Sequence, residues 1–144
     1  MPVRITILGS GELEALDNVA PGVFDHPVNP QLAREFLNDP RHHLAVARDG
    51  ETIVGMASGV HYVHPDKPPE LWINEVGVAP THRKQGIAQQ LVTALLDHAR
   101  TLGCVEAWVL TDRSNAAAMR LYEKVGGIER PEDSVMYEFK LGSL

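Results

Sequence analysis

A single cysteine, Cys104, is all the sulfhydryl chemistry this chain of 144 residues holds. That excludes an intrachain disulfide and a thiolate-rich metal site. Flanked by Gly103 and Val105 at the entry to an apparent strand, Cys104 reads as a buried structural thiol. Long apolar runs are missing too: none approaches the roughly 20 residues of a helical membrane span. The start, Met1 to Leu8, lacks the apolar core and small-residue cleavage site of a secretory signal, so a cytoplasmic location is expected. Basic charge is in deficit, 13 Lys and Arg against 19 Asp and Glu for a formal charge of −6. A nucleic-acid partner held by phosphate neutralisation is therefore not expected. Two familiar phosphate loops, Gly-x-x-x-x-Gly-Lys-Ser/Thr and Gly-x-Gly-x-x-Gly, are absent. His61-x-x-His64 with Asp66 lies on a strand entering a proline loop, where ligands converge poorly, so no metal site is expected.

What remains is the composition of a globular protein, with 44% apolar and 22% charged residues. Its length suits one domain, residues 1–144. Val3, Ile5 and Ile7 alternate with Arg4 and Thr6 as a strand over 3–8. Ser10 caps an expected helix over 10–19, with Leu13, Leu16 and Val19 on one face. Asn29-Pro30 opens a second helix carrying Leu32, Phe36 and Leu37. Two apolar runs, 44–47 and 52–57, flank Arg48-Asp49-Gly50-Glu51, a hairpin signal. The prolines of 64–69 mark a loop. Strands at 71–79 and 105–110, helices from Gly86 and from Ser114 or Asn115, and a closing strand over 135–141 complete the order, with a short strand near Ile128 as an option. The expectation is an α/β (mixed α+β) fold: a mixed sheet of six to seven strands with about four helices on both faces.

The informative segment runs from Asn74 through Glu75, Val76, Gly77, Val78, Ala79 and Pro80 to Arg83-Lys84-Gln85-Gly86-Ile87-Ala88. A strand ends, a basic turn follows, and an amphipathic helix begins. Backbone N–H groups at that helix start have no internal partners and face outward at the positive end of the dipole, a seat for a pyrophosphate. Gly86 and Ala88 keep side chains small there, and Arg83 and Lys84 add charge. Glu75 interrupts a strand otherwise suited to burial, Leu71 to Val78. A carboxylate enclosed there is expected to have its pKa raised by desolvation, which suits a proton acceptor. An alkylamine of reference pKa near ~10.4 must lose a proton before it can attack a carbonyl.

Val78-Ala79-Pro80 followed by Arg83-x-x-Gly86-x-Ala88 resembles the pyrophosphate loop of the GNAT superfamily of N-acetyltransferases. The run Asn115 to Gly126, with Tyr122, resembles that family's second motif. Ala88 stands where many members have glycine, and Gly127 where an aromatic usually follows. The resemblance implies acetyl-CoA as donor, with Arg83, Lys84, Gln85, Gly86, Ile87 and Ala88 holding it. It also implies backbone groups of Val76 and Val78 beside the acetyl carbonyl, and Asn115 along the pantetheine arm. Tyr122 then sits by the sulfur and protonates the departing thiolate, while Glu75 acts as base directly or through water. The fold so implied accommodates a homodimer, which no residue here demonstrates.

The acceptor implied is a small-molecule primary amine. The segment Phe24 to Val46, the proline loop and Glu75 are similar to the small aminoglycoside 3-N-acetyltransferases, where acidic groups receive a polycation. Asp25, Glu70 and Glu75 are the candidates here, with Asp66 at the rim. A peptide or protein N-acetyltransferase and a non-catalytic acyl-CoA-binding module stand as alternatives.

Overall fold

The computed structural model describes residues 2–130 and 133–143. Five strands form one sheet in the order β1 (Arg4–Ile7), β2 (His42–Asp49), β3 (Thr52–Tyr62), β4 (Glu70–Val78) and β5 (Glu106–Val109). The first four are antiparallel neighbours, β2 and β3 joined by a tight turn at Gly50 with its φ of 62°. β5 joins β4 in parallel, because a helix intervenes.

That helix, α2 (Ile87–Thr101), has Ile87, Leu91, Leu95 and Ala99 at four-residue spacing, all buried against the sheet. Leu91 and Leu95 are wholly enclosed, and truncating either to alanine removes about 2–5 kcal/mol. Helix α3 (Ala116–Lys124) packs beside α2. Across the sheet lie α1 (Pro30–Asn38) and the segment Ser10–Asp17, which packs against α1. Ser10–Asp17 is a kinked 3-10 helix rather than the α-helix its spacing suggests, with Gly9 rather than Ser10 at its start. Glu12 breaks the helical geometry there, and its carboxylate accepts the Gly9 N–H.

The mixed α/β class and the helices on both faces agree with the sequence reading, but the sheet has five strands among the described residues, not six or seven. Residues 137–141 alternate apolar and polar as a strand would, yet 135–141 form no ladder. Val135, Met136, Tyr137, Phe139 and Leu141 are all exposed, as is Ile128. Alternation supplies a face, but a strand exists only where a neighbouring edge takes its N–H and C=O groups. No helix among the described residues is long and apolar enough to cross a membrane.

Candidate functional site

The site is made by an irregularity in β4. Ser58 of β3 pairs with Glu75, and the next residue, Gly59, pairs with Ile73, so Asn74 is an extra residue bulged out of the ladder. Strict alternation from Leu71 and Ile73 would turn Glu75 toward α2. The bulge sends it instead to the α1 face, beside Ser58 and Leu44. Glu75 is consequently exposed rather than enclosed as the strand's apolar pattern suggests. The pairing with β5 also stops at the bulge, at Ile73 and Val109. From Asn74 to Val78 the strand has lost β5 as a neighbour, and the sheet is split there.

Beyond the split, the one-turn 3-10 helix Pro80–His82 leads into the basic turn. Lys84 takes a φ of 62°, unusual for a residue with a side chain, and Gly86 takes 77° as the residue before α2. Gly86 has open space where a Cβ would stand. No side chain caps α2, so the first-turn N–H groups of Ile87, Ala88 and Gln89 face outward. Arg83, Lys84 and Gln85 are exposed around them, and Arg83 Nε–H donates to the Val78 carbonyl at 3.2 Å. His82 anchors this turn. Its Nε2–H donates to Asp49 on β2 at 2.8 Å, and its Nδ1 lies 2.8 Å from the Thr81 hydroxyl.

On the α1 face, Asp25 and Glu75 open into one cavity of about 380 Å³. Its walls are Leu16, Phe24, Val28, Leu32, Phe36 and Leu44, with Ser58, His26 and Asn29 as polar members. The loop carrying Phe24 and Asp25 is pressed onto β4: a Cβ on Gly77 would collide with the Val23 carbonyl oxygen. Only glycine permits that approach.

Tyr122 lies on the other side of the sheet. It lines a cavity of about 290 Å³ with Ile73, Val92, Leu96, Cys104 and Val109, which reaches the last pair before the split. Burial pushes its phenol up from the ordinary value, further above neutral pH. Gly127 donates its N–H to the Tyr122 carbonyl at 2.8 Å. Asn115 caps α3, its Oδ1 accepting from Ala118 N–H at 3.0 Å. Burial likewise raises the thiol of half-buried Cys104.

Glu70 is not brought to the cavity. It begins β4, about 17 Å from Glu75 at strand rise, and lies 3.4 Å from His64. Asp66 is exposed and pairs with Lys67. His61 bonds to buried His43 at 2.7 Å rather than pointing toward His64. Among the described residues no group of His, Cys, Asp and Glu is arranged to hold a metal. Sequence reasoning missed the bulge, the Val23–Gly77 contact and the His82–Asp49 anchor. All are long-range or phase effects, and only glycine at 77 left a trace.

Residues 12–127 match the acetyltransferase (GNAT) family. Over 127 residues the chain is 35% identical to the N-alpha-acetyltransferase RimI of Mycobacterium tuberculosis, covering 87% of this chain and 78% of that protein. The structure of an aminoglycoside acetyltransferase from an uncultured soil metagenomic sample, in complex with sisomicin, has a TM-score of 0.80 at 20% identity and covers 97% of each chain. An aminoglycoside N-acetyltransferase in complex with CoA has a TM-score of 0.74 at 21% identity, covering 98% of this chain and 96% of that one. At such identities the two structures speak to the fold alone.

Proposed function

Since the chain belongs to the acetyltransferase (GNAT) family, we propose that Glu75 and Tyr122 carry direct acetyl transfer from acetyl-CoA to a small primary amine seated beside Asp25. The observation that supports this most is the split in β4, which lies between Glu75, lining the cavity on one face, and Ile73, lining the Tyr122 cavity on the other. The residues present fit the donor. Free N–H groups at the start of α2, the left-handed Gly86 with open space beside it, and exposed Arg83 and Lys84 suit a pyrophosphate. The strand edge of Val76 to Val78, unpaired by β5, suits an amide-bearing arm that adds to it as a short strand would. Asn115 spends its Oδ1 on its helix and keeps its amide N–H groups for the same arm.

When bound, acetyl-CoA supplies an activated acetyl thioester. The chain's own groups then act in sequence. Asp25 and Glu75 attract the acceptor's ammonium and orient it at the split. Glu75 accepts the amine's proton on its carboxylate, directly or through water. Backbone N–H groups at Val76 and Val78 face the charge that develops on the carbonyl oxygen. The Tyr122 phenol, protonated at neutral pH as phenols are, delivers its proton to the departing sulfur.

A polycationic acceptor such as an aminoglycoside is the finer reading that the sequence offers, and the loss of Glu70 leaves it two carboxylates, not three. A peptide α-amine is the second reading, favoured by the 35% identity with an N-alpha-acetyltransferase. A non-catalytic acyl-CoA-binding module has no need of both an acid and a base around the split. The test follows thiol release from acetyl-CoA across aminoglycosides, polyamines, simple amines and peptides, with Glu75→Gln and Tyr122→Phe alongside wild type. Each variant is expected to lose roughly a hundredfold in kcat with little change in the KM of acetyl-CoA. Wild-type turnover in both variants would refute the residue assignments.

A further inference from the structure

Between Pro80 and α2 the chain holds a shape that its residues do not favour on their own. Lys84 lies in the left-handed region at a φ of 62°, which persists only where the surroundings impose it. The β2–β3 hairpin grips this stretch at three points. The Val54 carbonyl accepts the Ala79 N–H at 2.8 Å. Asp49, the last residue of β2, accepts the His82 Nε2–H at 2.8 Å. Ile87, the first residue of α2, is buried, its side chain 3.3 Å from the point where a Cβ on Gly55 of β3 would stand. Residues 83–86 are therefore a short span between two fixed ends. Arg83 adds a bond of its own, but to Val78 on the strand the chain has just left. Packing fixes the Ile87 end, and a polar contact to another strand fixes the His82 end.

That polar contact is itself prepared. A carboxylate only accepts, so Nε2 carries the hydrogen, and Nδ1 of the neutral ring accepts from the Thr81 hydroxyl at 2.8 Å. Hydroxyl, imidazole and carboxylate form a chain in which each group orients the next. His82 and Asp49 are both half-buried, where such a bond is stronger than in open water. With Arg83 to Ala88 read as the pyrophosphate seat, on which this rests, we infer that His82 and Asp49 are positioning residues for acetyl-CoA. Their bond holds residues 83–86 in the anion-receiving shape before the cofactor arrives. A turn already in its bound form loses less freedom on binding, which raises affinity without a further contact. The effect belongs to the pyrophosphate and not to the arm that lies along β4.

CoA, and pantetheine as the same arm without pyrophosphate and nucleotide, are titrated calorimetrically into wild type and variants. Asp49→Ala and His82→Ala are each expected to weaken CoA about tenfold and to leave pantetheine unchanged. Both changes remove one bond, so the double variant should lose about tenfold as well, not a hundredfold. Asp49→Asn keeps a side-chain oxygen for the His82 N–H and is expected to stay within about threefold of wild type. Thr81→Val is isosteric at an exposed residue and keeps the question answerable if an alanine variant does not fold. It is expected to weaken CoA about threefold through the loosened ring. Unchanged CoA affinity in these variants, or losses that multiply in the double variant, overturns the inference and leaves the pyrophosphate seat standing. An equal loss of pantetheine overturns it too, since a general disturbance of the fold then explains the result. Wild type that binds CoA no more tightly than pantetheine overturns the seat and this inference together.

Discussion

At the scale of single residues, Gly77 shows how a site is positioned by an absent side chain. The Val23 carbonyl occupies the space a Cβ would need, so the loop bearing Phe24 and Asp25 rests directly on the strand that bears Glu75. Gly77→Ala is expected to destabilise the fold by about 1–3 kcal/mol, the range for overpacking, and to raise the acceptor's KM more than that of acetyl-CoA. Chemical denaturation and two-substrate kinetics check both parts. Of the candidate residues, Arg83 to Ala88 stand out by their place between a strand and a helix and Glu75 by its charge in an apolar strand, while Asn115, Tyr122 and Asp25 came only from the family resemblance. Glu75's exposure was not legible, because the alternation that marks it as unusual also places it on the wrong face.

Among elements, local rules worked where the chain obeys them. Helix α2 follows from its four-residue apolar spacing, and the β2–β3 hairpin from its Asp-Gly step. Helix α1 follows from Asn29-Pro30, whose asparagine Oδ1 accepts from Gln31 N–H at 2.9 Å and Leu32 N–H at 3.1 Å. Asn29→Ala is expected to cost about 1 kcal/mol through the lost cap. Because α1 supplies Leu32, Ala33 and Phe36 to the cavity, the same change should raise the acceptor's KM while sparing that of acetyl-CoA. Urea titration and steady-state kinetics measure the two effects separately. The rules failed at residues 137–141, where alternation was present and a partner edge was not, and at Ser10–Asp17, where Glu12 turns its carboxylate back onto Gly9. Pairing and register are properties of two segments, so one segment read alone does not contain them.

For the molecule as a whole, the sheet divides labour. One face, with α2 and α3, carries the groups proposed to hold acetyl-CoA, and the other, with α1 and the loop before it, the cavity proposed for the acceptor. Near the far end of the sheet, His43 is buried against His61 and His98, their ring centres 5.0 and 4.9 Å away. Burial foremost, then His98, His61 and His42, depresses the His43 imidazole from 6.5 to about 4, with Asp39 opposing. The unfolded chain takes this proton near 6.5 and the folded one only near 4, so the unfolded state binds more protons in between. Stability is expected to fall as pH drops from about 6.5 toward 4 and then to level off in this contribution. In His43→Gln that slope should be shallower, as urea midpoints across the pH range will show.

The bulge at Asn74 has a consequence for how such a site is acquired. Deleting Asn74 leaves Ile73 next to Glu75, so ordinary alternation still turns Ile73 toward α2 and Glu75 toward the cavity. Every side chain before and after it keeps its face; only the split with β5 is lost. Run in reverse, one inserted codon in a regular strand opens the slot without moving a single core contact to the solvent. The residue that divides the strand is thus a spacer, and its contribution is counted in length rather than in chemistry.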